Sequence, residues 1–125
     1  MSTEQSNRLY VGTSGWNYKA WKNTLYQGVK QKEWLQHYAT LFNAVEVNAT
    51  FYRLLKETTV EGWKQKTPDG FSFAVKGSRY ITHTKKLSPD PESILKQRDN
   101  LESLQSKTRA VLWQVPGSLH KDINL

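Results

Sequence analysis

Two short stretches, Ala44-Val45-Glu46-Val47-Asn48 and Phe71-Ser72-Phe73-Ala74-Val75-Lys76, decide the fold. Both alternate with the two-residue period of a strand. Val45 and Val47 face one way while Glu46 and Asn48 face the other, and Phe71, Phe73 and Val75 oppose Ser72, Ala74 and Lys76. One face is greasy; the other is small or polar. Working outward, Leu9 to Ser14 and Ala110 to Val115 read as two further strands. Helical patterns separate the four. Lys32 to Phe42 sets Trp34, Leu35, Tyr38, Leu41 and Phe42 on one stripe. A weaker helix between Glu57 and Lys66 offers Val60 and Trp63, with Pro68 ending the segment. The third is better marked: Asp90-Pro91-Glu92 supplies an N-cap, a proline at the first helical position and an early acid, ahead of Ile94, Leu95, Arg98, Leu101 and Leu104. The order is β-α-β-α-β-α-β, an α/β chain whose crossovers imply a parallel sheet.

A doubly wound sheet buries both faces under helices, so its central strands are continuous apolar runs. These strands alternate instead. In a (β/α) barrel of the TIM type, outer helices cover the greasy face and the inner face turns polar toward the C-terminal mouth, where ligands bind. The alternation favours that barrel. A full barrel takes about 250 residues, whereas this chain has 125 and stops just past its fourth strand. Residues 1–125, with no repeat, low-complexity block or Pro/Gly-rich linker, are therefore read as one domain, about half a barrel.

Composition narrows the function. The absence of cysteine removes disulfides, thiolate metal sites, zinc fingers and cysteine nucleophiles, and fits a reducing compartment. No apolar run reaches the roughly 20 residues needed to span a bilayer, and the polar start Met1-Ser-Thr-Glu-Gln-Ser-Asn has no signal core. The expectation is a cytoplasmic protein with no membrane partner. A net charge of +7 permits anionic ligands or nucleic acid.

In a barrel, the inward positions near the C-terminal strand ends are Gly12, Ser14, Glu46, Asn48, Lys76 and Gln114. Glu46 is the most informative, because a carboxylate between two valines on a central strand needs a partner. Lys76 on the adjacent strand is the expected one, either as base and electrophile in proton transfer or hydrolysis, or as a pair that fills the interior. Gly12-Thr13-Ser14-Gly15 lets backbone amides approach an anion, but its spacing matches neither a P-loop nor a nucleophile elbow, and a turn-forming role is favoured. Trp16, Tyr18, Trp21 and Tyr26 crowd the first loop, and Phe51 and Tyr52 follow the second strand. Trp16 and Tyr52 are the candidates for stacking on sugar rings or nucleobases, while Trp21 and Tyr26 look like a small local core. From Lys76 to Lys86 four cations, Lys76, Arg79, Lys85 and Lys86, surround His83 with no acid before Asp90. Arg79 can grip a phosphate or carboxylate through two hydrogen bonds. His83 is a candidate proton donor, His37 and His120 are surface or packing residues, and Glu46 with His83 is too small a set for a metal site.

The strings Gly12-Thr-Ser-Gly-Trp16-Asn-Tyr-Lys-Ala-Trp21, Trp34-Leu-Gln-His-Tyr38 and Phe42-Asn-Ala-Val-Glu46-Val-Asn48-Ala-Thr-Phe-Tyr52 resemble the bacterial YecE-like family, a domain of unknown function. Trp63, Thr67-Pro68, Phe71 to Lys76, Arg79, Ile81-Thr-His83, Lys86-Leu87 and Gln114-Val-Pro116 continue the match in order. The resemblance implies a TIM barrel about twice this length with no assigned activity. It leaves the cofactor unknown, and the chain departs from the family pattern by lacking strands five to eight, with the loops after strands seven and eight where barrels often hold phosphate.

The leading expectation is an uncharacterised YecE-like barrel that binds an anionic or sugar-like small molecule at its C-terminal mouth, with catalysis left open. Glu46 would serve as acid/base, Lys76 and Arg79 as anion-stabilising cations, His83 as proton donor, and Asn48 and Gln114 as orienters. Ser14, Trp16 and Tyr52 would complete the ligand shell. One alternative is nucleic-acid binding or processing through the basic loop and aromatic rim; another is an inactive truncated fragment. Unpaired edge strands and inner apolar positions such as Leu112 also predict a homodimer or larger assembly that completes the barrel.

Overall fold

The computed structural model describes residues 8–88 and 91–121. Four strands, β1 (Gly12–Ser14), β2 (Ala44–Val47), β3 (Ser72–Lys76) and β4 (Thr108–Leu112), form one sheet in the order β1-β2-β3-β4 with every neighbouring pair parallel. Four helices intervene: α1 (Trp34–Leu41), α2 (Ala49–Tyr52), α3 (Glu57–Gln65) and α4 (Pro91–Asn100). A doubly wound sheet reverses its strand order at a switch point. This sheet grows in one direction, as a barrel wall does.

The register places the alternation as expected. Val45 lies beside Phe73 and Val47 beside Val75. All four are buried with Tyr26, Trp34, Tyr38, Val60 and Leu104, so the greasy face is the helix-covered one. Glu46 lies beside Ser14 and Ala74 on the other face. Tyr38 ties helix to sheet: its hydroxyl donates to the Ala44 carbonyl at 2.9 Å and accepts from the Thr13 amide at 2.8 Å. Gly12 lets these strands meet, since a Cβ there would stand 1.8 Å from the Ala44 oxygen. The first loop forms the expected small core, with Tyr26 stacked on Trp34 at a centroid distance of 4.5 Å and Trp21 tilted against it at 6.1 Å.

Three boundaries differ from the sequence reading. β1 is only Gly12–Ser14, because the Asn43 side chain takes over pairing ahead of it, accepting from the Val11 amide at 2.7 Å and donating to the Leu9 carbonyl at 2.8 Å. β4 begins at Thr108 and ends at Leu112, two residues earlier than expected at its start, with a register slip opposite Phe73 and Ala74. Leu101 and Leu104 are buried past the end of α4, whereas Ile94 and Leu95 within it are exposed. Pro91 opens α4 as expected; its proposed cap, Asp90, lies outside the described residues.

Lys107 is buried at the foot of β4, where the sequence offers no warning of it. Its ammonium donates to the carbonyls of Thr67 (2.7 Å), Pro68 (2.9 Å) and Lys64 (3.1 Å) and to the Thr67 hydroxyl (2.8 Å). It closes the C-terminal end of α3 as a cation at the negative pole of a helix. Burial pushes its pKa below the ordinary lysine value, while Asp69 acts in the opposite direction. Among the described residues, no helix is long and apolar enough to cross a membrane.

Candidate functional site

The C-terminal ends of β1, β2 and β3 carry most of the polar residues expected there. Asn48, one residue past β2, donates from Nδ2 to the Ser14 hydroxyl at 2.8 Å. The Ser14 carbonyl accepts from the Tyr18 hydroxyl. Gly15 follows with φ at +82°, and its amide donates to the Glu46 carbonyl at 2.8 Å. That amide is thus spent on the sheet, and the Gly12–Gly15 segment works as a turn rather than as an anion cradle.

Lys76 ends β3, and the chain just past β2 reaches over to meet it. Thr50 in α2 donates its hydroxyl to the Lys76 carbonyl at 2.6 Å, which sets the next residue, Phe51, beside the lysine side chain. Lys76 Nζ sits 4.2 Å from the Phe51 ring centroid, a cation–π contact. His83 meets the same ring edge-on at 5.2 Å, and its Nδ1 is hydrogen-bonded to the Thr82 hydroxyl at 2.8 Å. Nε2 carries no hydrogen bond among the described residues. His83 belongs to a single π-helical turn, Tyr80–Thr84, of the sort often found at functional sites.

The expected Glu46–Lys76 ion pair does not form: among the described residues, neither side chain makes a salt bridge. The register explains it. Glu46 lies level with Ala74, so Lys76 stands one inward position farther along, where its long stem reaches Phe51 instead. Both charges stay half-buried on the inner face, with no opposite charge on either.

The other candidates divide. Trp16 meets Trp63 edge-to-face at 5.2 Å and packs against the core, so much of its ring serves the fold. It nevertheless lines a cavity of about 260 Å³ with Gly15, Tyr18, Asn48 and Trp63, next to the Ser14–Asn48 pair. Tyr52 is 66% exposed and touches Phe51 at 5.0 Å. Arg79 is exposed just ahead of the π turn. Gln114 is not an inward strand position: β4 ends at Leu112, and Gln114 is exposed beyond it. Phe51 is the residue that sequence reasoning undervalued. It carries no charge, and only the return of α2 across the end of β3 makes it the centre of the cluster.

The fold has counterparts among known proteins. A family model described as "Protein of unknown function DUF72" matches residues 10–125. The chain is 35% identical over 75 residues to the UPF0759 protein YecE of Escherichia coli K12, covering 60% of this chain and 25% of that protein. It is 33% identical over 76 residues to the UPF0759 protein YunF of Bacillus subtilis 168, covering 59% and 26%. Among solved structures, a DUF72 family protein of Thermotoga maritima MSB8 superposes with a TM-score of 0.77 at 29% identity, over 91% of this chain and 46% of that one. A DUF72 family protein of Enterococcus faecalis V583 shares the fold with a TM-score of 0.75 at 18% identity, over 94% and 43%. The matched stretch is about a quarter of the length of the curated relatives, and the chain covers less than half of each solved one. The chain belongs to the DUF72 family, proteins of unknown function whose solved members are TIM-barrel-like.

Proposed function

We propose that the rim formed by the ends of β1, β2 and β3 binds an anionic or sugar-like small molecule. The observation that carries this reading is Lys76, a half-buried ammonium with no carboxylate on it among the described residues, held against Phe51 beside His83. A phosphate or carboxylate would supply the missing charge, Arg79 a second cation, and the Trp16 cavity with Ser14 and Asn48 a place for a ring and its hydroxyls. Glu46 and His83 are the groups able to exchange protons with such a ligand. A cytoplasmic site of action fits the cysteine-free composition.

Titration calorimetry with inorganic phosphate, citrate and glucose 6-phosphate tests it on wild type, Lys76→Met and Glu46→Gln. We expect Lys76→Met to weaken anion binding by about tenfold or more, the loss of one charge-assisted contact. Equal binding by wild type and Lys76→Met, or none by wild type, would remove the reading.

A second reading rests on another observation. Tyr52, Arg53, Tyr80, Lys85 and Lys96 line an open cleft of about 530 Å³ in which Glu92 neutralises Lys96 at 3.4 Å, leaving Arg53 and Lys85 as its cations, and Lys85 lies over the Tyr80 ring at 5.6 Å. Cations interleaved with exposed rings suit a nucleic-acid strand. Binding of single-stranded DNA or RNA that falls steeply with salt would support this reading, and a flat salt response would discard it.

A further inference from the structure

The π-helical turn Tyr80–Thr84 contains a hydrogen bond whose direction its surroundings settle. Thr82 is fully buried, and its one hydroxyl proton has two acceptors in reach, the Ser78 carbonyl at 3.4 Å and His83 Nδ1 at 2.8 Å. The Ser78 carbonyl already accepts the Ile81 amide at 3.0 Å and the Thr82 amide at 3.2 Å, one for each lone pair. A third donor at 3.4 Å lies beyond the usual span of an O–H···O bond, whereas Nδ1 stands at a good distance for a hydroxyl. The reverse arrangement, with the ring proton on Nδ1, would turn the Thr82 hydroxyl onto a carbonyl already in use and leave a buried donor poorly bonded. That penalty favours the first arrangement by about tenfold or more. The turn is held closed by the Lys85 amide on the Tyr80 carbonyl at 2.8 Å and the Leu87 amide on the Ile81 carbonyl at 2.9 Å, and Phe51 of α2 packs edge-on against the imidazole at 5.2 Å.

We propose that Thr82 is a positioning residue: its hydroxyl donates to Nδ1, keeps the neutral His83 ring as the tautomer with its proton on Nε2, and so makes His83 a hydrogen-bond donor to an oxygen of the bound ligand rather than an acceptor of its proton. The inference rests on the rim being the anion site put forward above. The Lys76 ammonium stands 4.2 Å from the centroid of the same Phe51 ring that His83 meets edge-on, so a charged donor and an uncharged one flank a single aromatic wall. The ligand chemistry that satisfies both is an oxyanion, a phosphate or a carboxylate, which has oxygens enough to accept from each. Proton acceptance at the rim then falls to Glu46, the half-buried carboxylate on the inner face of β2.

The test is two-bond proton–nitrogen NMR of the labelled imidazole rings in the ligand-free chain at mildly alkaline pH, where imidazole is neutral, with the His83 signals assigned by their loss in His83→Asn. We expect wild type to carry the ring proton on Nε2 and to show Nδ1 as a hydrogen-bonded acceptor. Thr82→Val keeps the shape of the side chain and removes the hydroxyl, so the Nδ1 signal should move to the position of an unbonded ring nitrogen; Thr82→Ser should restore it. A side chain that only packs would leave Nδ1 unmoved in both variants. Inorganic phosphate is then added as the probe. In wild type it should shift Nε2 and leave Nδ1 in place, and Thr82→Val should bind it about threefold to tenfold more weakly, because the donor is no longer preorganised. A ring proton on Nδ1 in wild type overturns the inference even where Thr82→Val does not fold, and so does an Nδ1 signal common to wild type and Thr82→Val. Phosphate that binds through Lys76 without moving Nε2 overturns the role of His83 and leaves the rim reading standing, whereas no phosphate binding by wild type removes the rim reading and this role with it.

Discussion

Replacing Lys107 by Met measures how much one buried ammonium contributes to the fold. Methionine keeps the apolar stem and removes the ammonium, which is 7% exposed as part of its residue. The loss is smaller than four broken hydrogen bonds suggests. The Pro68 carbonyl still accepts from the Phe71 amide at 3.0 Å, and the Thr67 hydroxyl still donates to the Trp63 carbonyl at 3.0 Å. The Lys64 carbonyl keeps the Thr67 hydroxyl at 3.3 Å. The Thr67 carbonyl is left without a replacement, which costs about 1–3 kcal/mol, and three other acceptors lose a charge-assisted partner. Relief of the buried charge offsets part of this. A net loss of about 2–3 kcal/mol follows, or roughly 10 °C in melting temperature for a chain of this size.

The pH dependence sharpens the test. Because burial lowers the folded pKa of Lys107 below 10.5, the unfolded chain binds the proton more tightly, and this group adds stability as pH climbs toward 10.5. The gap between wild type and Lys107→Met should therefore widen with pH, with the Tyr26 contribution common to both and cancelling. Thermal melts by circular dichroism from neutral pH upward measure it. A Lys107→Met protein as stable as wild type, or a gap that narrows with pH, would mean that the ammonium does not hold the end of α3.

Tyr26 should dominate alkaline behaviour with the opposite sign. Burial, reinforced by Tyr38, raises its pKa from 10.0 to about 12. The stability it contributes is whole below pH 10 and is lost as pH rises through 12. Tyr26→Phe should melt lower at neutral pH, since the 2.5 Å bond to the Trp16 carbonyl is gone, yet fall less steeply above pH 10; parallel curves for the two proteins would contradict this. Tyr38→Phe strands the Thr13 amide and should cost about 2 kcal/mol in urea unfolding, and an unchanged midpoint would mean that the β1 tie is dispensable. At Gly77 an added Cβ would stand 2.1 Å from the Trp113 ring. Gly77→Ala should therefore expel that ring and redden tryptophan emission, and an unaltered spectrum would count against the packing.

Much of the fold was legible because it rests on short-range patterning. The alternation in Ala44–Val47 and Ser72–Lys76 set which face is buried, the α1 stripe located that helix to within two residues, and Pro91 located the start of α4, although its apolar pattern runs on to Leu104, past the helix end at Asn100. The inward placement of Ser14, Glu46 and Lys76 followed from the same period of two. Local patterning therefore sufficed for the strand-helix order, the barrel-type face pattern and the family. Which inward residues meet depends on contacts between distant segments. Pairing Glu46 with Lys76 was reasonable from adjacent strands, but parallel register sets the carboxylate level with Ala74, and α2 brings Phe51 to the lysine instead. The burial of Lys107 was equally invisible, because it depends on carbonyls some forty residues away along the chain. Periodicity reports the direction of a side chain; only register and the return path of the chain determine what stands opposite it.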